Sequence, residues 1–200
     1  MKKLMLAAVA ALALNSAFAW WSPLGIGIAA PAQFPLMSSD VYGLRLGGIL
    51  GWNDNVYGID LGLASVATGN EFGIQAGAFN VVWGESGGVQ AGLLNYNANT
   101  YGGLQLAALC NWNGLAMYGF QTAAVNANLT DLFGFSLGAI NYAASVKGGQ
   151  IGVINLSDSV TGFQLGVINA CDTMHGIQIG AINMITSSRL PVMVVANAKF

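Results

Sequence analysis

Few residues in this chain could do chemistry. His175 is the single histidine, so only one side chain could serve as the base of a Ser-His-Asp network, and the serines and aspartates cluster in turn-like segments away from it. Of the eight carboxylates, Asp54, Glu71, Glu85, Asp131, Asp158 and Asp172 fall in or beside those segments, about one to each. That scatter suits solvation better than a calcium cage. The glycines build no strand-turn-helix phosphate loop. Cys110 and Cys171 lack metal-type spacing. They could pair in an oxidising compartment, but two separate thiols is the favoured reading. These residues predict no catalytic, cofactor-binding or metal site, and therefore no enzyme and no cofactor.

What does recur is a polar residue held between glycines. Gly73-Ile-Gln75-Ala-Gly77-Ala-Phe-Asn80 returns as Gly148–Asn155, Gly162–Asn169 and Gly176–Asn183, a Gly-x-Gln-x-Gly-x-x-Asn unit. Its central position is occupied by Arg45, Asp60, Gln75, Gln90, Gln105, Gln121, Ser136, Gln150, Gln164 and Gln178, at steps of 14 to 16 residues. Self-similarity at a fixed period marks a repeat architecture. The amides both donate and accept, so neighbours can bond sideways into an interior polar belt. Arg45 and Asp60 hold equivalent sites in consecutive units and are expected to pair. The belt is read first as packed structure and second as a constriction for small polar solutes. Around Gln105, Ala107 replaces the second glycine and Asn111 comes one residue late, which predicts a bulge.

The elements that must carry this belt are strands. Tyr57, Ile59, Leu61 and Leu63 alternate with Gly58, Asp60, Gly62 and Ala64, a period of two with one apolar and one small or polar side. Helices are disfavoured, because each interior glycine costs ~1 kcal/mol relative to alanine. Asn53-Asp54-Asn55, Thr68-Gly69-Asn70, Asn113-Gly114 and Ser157-Asp158-Ser159 read as turns.

Composition sets the surroundings. Lys2 and Lys3, the apolar run Leu4–Leu14 and the small-x-small triplet ending at Ala19 form a secretory signal over residues 1–19, leaving one domain over 20–200. The domain then holds the cations Arg45, Lys147, Arg189 and Lys199 against eight carboxylates. It has no basic patch for nucleic acid. Charged residues are 7% and apolar residues 54% of the chain, whereas a soluble domain averages about 25% charged. An exported, charge-poor chain without spanning helices predicts an all-β fold: an antiparallel closed transmembrane β-barrel of about 12 short strands, its apolar face in outer-membrane lipid. Tyr42, Tyr57, Phe72, Tyr101, Tyr118 and Phe133 open their strands and would build interfacial girdles. The alternative is a β-solenoid with one coil per 14–15-residue repeat, favoured by uniformly short connectors. Against it stands the polar connector Leu156-Ser-Asp-Ser-Val160, which makes a poor second strand face.

The repeated units, together with Asp40–Gly47, Asn55–Gly62 and Leu190–Phe200, resemble bacterial surface-repeat proteins over nearly all of residues 20–200. The terminal Phe200, preceded by alternating apolar residues, resembles the C-terminal signal read by the barrel assembly machinery. The resemblance implies an outer-membrane or cell-surface location and a repeat architecture, with no residue roles. The functional expectation is a structural or surface barrel without catalysis. The alternatives are a passive channel for small polar solutes and a secreted solenoid with a surface or adhesion role.

Overall fold

The structure is a computed structural model that describes residues 20–200; the signal segment and its cleavage site at Ala19 lie outside the described residues. It is a β-solenoid of about 11 turns, which overturns the antiparallel transmembrane barrel. The pairing decides the matter. Strand β3 (Asp40–Asn53) pairs in parallel with β4 (Val56–Leu61) and with β5 (Ala64–Ala67). In turn β4 pairs with β6 (Glu71–Ala76), and β5 with β7 (Phe79–Val82). Both ladders then continue into β8 (Ser86–Asn97), β9 (Tyr101–Asn113), β10 (Met117–Leu165) and β11 (Ile168–Ile185). Each coil thus has two extended arms, one carrying the glutamine position and one the asparagine. The chain returns through the second arm to the start of the next coil.

The physical reason lies in the connectors. The second arm, judged too polar to be a strand, is polar because the inside of the solenoid is polar. Leu156 and Ser157 pair in register with Ala170 and Cys171, and the Ser157 hydroxyl donates inward to Gln150 Oε1 at 3.0 Å. The apolar side assigned to lipid is instead the outer surface of the coils. Parallel stacking in register also sets glycine on glycine. At Gly73, φ is +142°, and a Cβ would lie 1.9 Å from the carbonyl oxygen of Gly58 in the coil before. Only glycine permits that conformation together with that approach.

The two ends differ from the middle. At the start, β1 (Trp21–Ala29) pairs in parallel with β3 and antiparallel with the short β2 (Ala32–Phe34). The Gln33 amide there imitates a strand residue: it accepts from the Trp52 backbone N–H at 2.9 Å and donates to the Trp52 carbonyl. At the other end, β12 (Val192–Lys199) runs antiparallel across β11. The coil opening at Tyr101 carries the additional residue foreseen near Ala107. Register shifts flank it on both sides, between Gly92 and Leu94 and between Thr122 and Val125.

Most of the apolar packing inside falls into two clusters. Val41, Val56, Ala67 and Val82 cluster in the first coils. Tyr101, Met117, Leu132, Val146, Val160, Met174 and Ile185 belong to a second cluster further on.

Candidate functional site

The ten belt residues are brought together, as a column along the solenoid axis instead of a ring around a barrel. Arg45 and Asp60 are in register and form a two-point ion pair. Nε donates to Oδ1 at 2.7 Å, and Nη2 donates to Oδ2. Both side chains are buried, at 2% and 0% exposure. Arg45 Nη1 also donates to the Val66 carbonyl at 3.1 Å and to Asn53 Oδ1 at 3.3 Å. These bonds supply the partners that a desolvated guanidinium requires. Above the pair, Gln75 donates to Asp60 at 3.3 Å, Gln90 to Gln75 at 2.7 Å and Gln105 to Gln90 at 2.9 Å. Gln105 and Gln121 do not bond each other; Asn113 Nδ2 donates to both, at 3.0 and 3.2 Å. Gln121 donates onward to Ser136 at 3.2 Å, Gln164 to Gln150 at 2.8 Å and Gln178 to Gln164 at 2.8 Å.

A second column was present in the repeat motif but received no role from it. Asn80, Asn95, Asn111, Asn126, Asn141, Asn155, Asn169 and Asn183 are all buried. Each Nδ2 but that of Asn183, the last, donates to the Oδ1 of the following asparagine at 2.8 or 2.9 Å. Most also donate to a backbone carbonyl of the next coil, as Asn126 does to Leu137 O at 2.9 Å. The recurrence of Asn five residues after the central position, six in the coil of Gln105, was the available signal.

Glu71 departs from the sequence reading. Expected at a turn, it opens β6 at 4% exposure. It occupies the inward row of Val56 and Ser86, with which it is in register. Neither carboxylate oxygen has a hydrogen-bond partner. Burial pushes its carboxyl well above the usual value of 4.5; the charge of Asp60 raises it further and that of Arg45 opposes the rise. Its place four residues before Gln75 is the inward phase of the repeat, a signal that turn composition masked. Tyr101 departs likewise. It was assigned to an aromatic girdle, yet it sits in the same inward row and donates through its hydroxyl to Leu104 O at 2.9 Å and Gly88 O at 3.1 Å. Burial raises its phenol above the usual range. A cavity of about 10 Å³ between Glu71, Gln75, Ser86, Gln90 and Tyr101 has room for about one water.

The other candidate residues stay apart. Cys110 and Cys171 are free thiols. Burial raises both, Cys171 to about 11, so neither is a ready thiolate nucleophile. Cys171 accepts from Gln178 at 3.3 Å. His175 is exposed and meets the Phe200 ring edge-on at 6.1 Å. Phe200, 88% exposed, ends the solenoid, so the barrel-assembly role assigned to it has no barrel to act on. Among the described residues, no three His, Cys, Asp or Glu side chains could share a metal ion.

The arrangement can hold coils in register, and most of its inward polar groups bond one another; Ser65 Oγ, both Glu71 oxygens, Asn80 Oδ1, Asn128 Nδ2, Gln150 Nε2 and Gln178 Oε1 do not. No family model, curated protein or solved structure matches the chain.

Proposed function

We propose that this chain is an exported bacterial β-solenoid with a structural or surface role at the cell envelope, working through its outer faces and not through a catalytic pocket. One observation carries the reading. The glutamine and asparagine side chains are directed inward and mostly bonded to one another, while the exterior presents large apolar residues such as Ile59, Leu61, Ile74, Phe79 and Leu137 along the rod. Exposed apolar surface of this extent marks interaction surfaces. The passive channel loses its support, because it needed an open lumen and the belt fills the axis. The signal at residues 1–19 supports export, and the resemblance to surface-repeat proteins supports the envelope.

Fractionation of cells that express the whole chain tests this reading. The expected result is recovery with the envelope or medium, shortened by the signal segment, and loss on addition of protease to intact cells. Full-length protein in the cytoplasmic fraction, protected from added protease, would overturn it.

A further inference from the structure

We infer that the broad outer face of the first arms is an interface between two copies of this chain, packed face to face about a two-fold axis. The inference concerns a surface only and does not depend on where the protein resides. Three outward rows cover this face. One begins at Tyr42 and Tyr57, the next at Leu44 and Ile59, the third at Leu46 and Leu61. Over ten coils the second and third rows contain no charged residue. Ten coils spaced ~4.8 Å apart and three rows of alternate residues span an area of about 43 by 20 Å. That is roughly 850 Å², against about 800 Å² per partner in a stable interface.

The choice of a second copy rests on where the small and large residues lie. A two-fold axis parallel to the strands, placed between the coils of Gln105 and Gln121, keeps each row facing its own row and reverses the order of coils. Residues then meet in pairs: Ala76 faces Ile151, Ala91 faces Leu137, and Gly102 faces Tyr118. In these three pairs a small residue meets a large one, as Gly87 also meets Phe133 and Gly149 meets Ile74, while pairs such as Leu61 and Leu165 set two large apolar residues together. Ile151 and Leu137 are exposed, Tyr118 is 48% exposed, and a Cβ added at Gly102 would meet open space. The lone cation of the face, Lys147, lies 4.9 Å over the Phe133 ring and would face Phe72 of the other copy, an aromatic partner for its charge. A two-fold contact of this kind closes on itself and yields a dimer instead of a fibre.

Sedimentation equilibrium of the whole chain in aqueous buffer is expected to give a dimer. Ala91→Arg, which sets an unpaired charge against Leu137, is expected to weaken it by about a hundredfold or more with the far-ultraviolet dichroism unchanged. Should that variant misfold, Ala91→Cys with Leu137→Cys in a Cys110→Ser background gives a second route. Within one chain the two sites are three coils, about 14 Å, apart, too far for a disulfide, so oxidation should link two chains. A monomeric wild type overturns the proposal, and if that monomer floats with phosphatidylcholine vesicles, lipid covers the face instead. A dimer indifferent to Ala91→Arg, or the absence of cross-linking in the double-cysteine chain, overturns it equally.

Discussion

At Arg45 and Asp60 the polar column begins as a charge pair and continues as neutral amides. Two opposite charges desolvated together tolerate the interior, whereas one left alone does not. Asp60→Ala strands the Arg45 guanidinium, while Asp158 lies within β10 and is exposed. The expected loss on chemical denaturation is ~3–5 kcal/mol for Asp60→Ala and within about 0.5 kcal/mol for Asp158→Ala; equal losses would contradict the burial of the pair. Glu71 gives a second handle. Its carboxyl is raised in the folded chain, so the folded form holds its proton to a higher pH than the unfolded form does. The stability this confers is complete below the unfolded value near 4.5 and is lost as the pH climbs through the raised folded value. The groups facing it are Asp60, Arg45 and Tyr101. Glu71→Met, which borrows the residue of the same row at Met117, should flatten the decline in melting temperature between pH 4 and pH 8. A decline as steep as in the wild type would show that Glu71 is not its source.

Within the coil, the two arms carry amide columns of opposite polarity. In the first arm Gln75, Gln90, Gln105, Gln164 and Gln178 each donate toward the preceding coil. In the second arm the asparagines donate toward the following one. The side-chain dipoles of the two columns therefore oppose each other along the axis. A solenoid is stabilised mainly by contacts between neighbouring coils, so a gap in the middle of a column is felt on both sides. Asn126→Ala removes the column bonds to Asn111 and to Asn141 together with the bond to the Leu137 carbonyl, while Asn141 Oδ1 keeps the Ser136 hydroxyl and Asn111 Nδ2 keeps the Thr122 carbonyl. At about 0.5–1.5 kcal/mol for each lost bond, interrupting the column on both sides should destabilise by more than Asn183→Ala, which loses a single column bond. Urea titrations of the two variants make the comparison; a smaller loss for Asn126→Ala would refute the column as a source of cohesion.

The whole molecule turns the usual distribution of polarity around. Amides fill the axis, valine, isoleucine, leucine and aromatic rings cover the outer faces, and charge collects at one edge around Asp54, Glu85, Asp158 and Asp172. Tyr42, Tyr57 and Phe72 stack in a column at 4.8 and 6.1 Å, and Tyr118 and Phe133 at 4.6 Å. The aromatic spacing read as membrane girdles is thus a property of stacked coils. A rod with a close-packed polar interior and apolar flanks is suited to assembly, which is why its oligomeric state and its position in the cell are the measurements that bear on what it does.

The period, the residues that stack on one another and the inward direction of Arg45, Asp60 and the glutamines are all written in the repeat. A side chain flanked by glycines two residues away on an alternating strand can only belong to the crowded side. The closure of the sheet was not legible. Alternation over Tyr57–Ala64 says that a strand has two unlike sides, and it reads the same for a hairpin neighbour and for a parallel one. Glu71 and Tyr101 were misplaced for a related reason: each stands beside a turn, and only the register with Val56, Ser86 and Met117 turns it inward. Parallel closure needed a return path, and Leu156–Val160 could supply it only once the interior was known to be polar. That is a tertiary fact, because a polar strand face is costly against an apolar core and favourable against a column of amides.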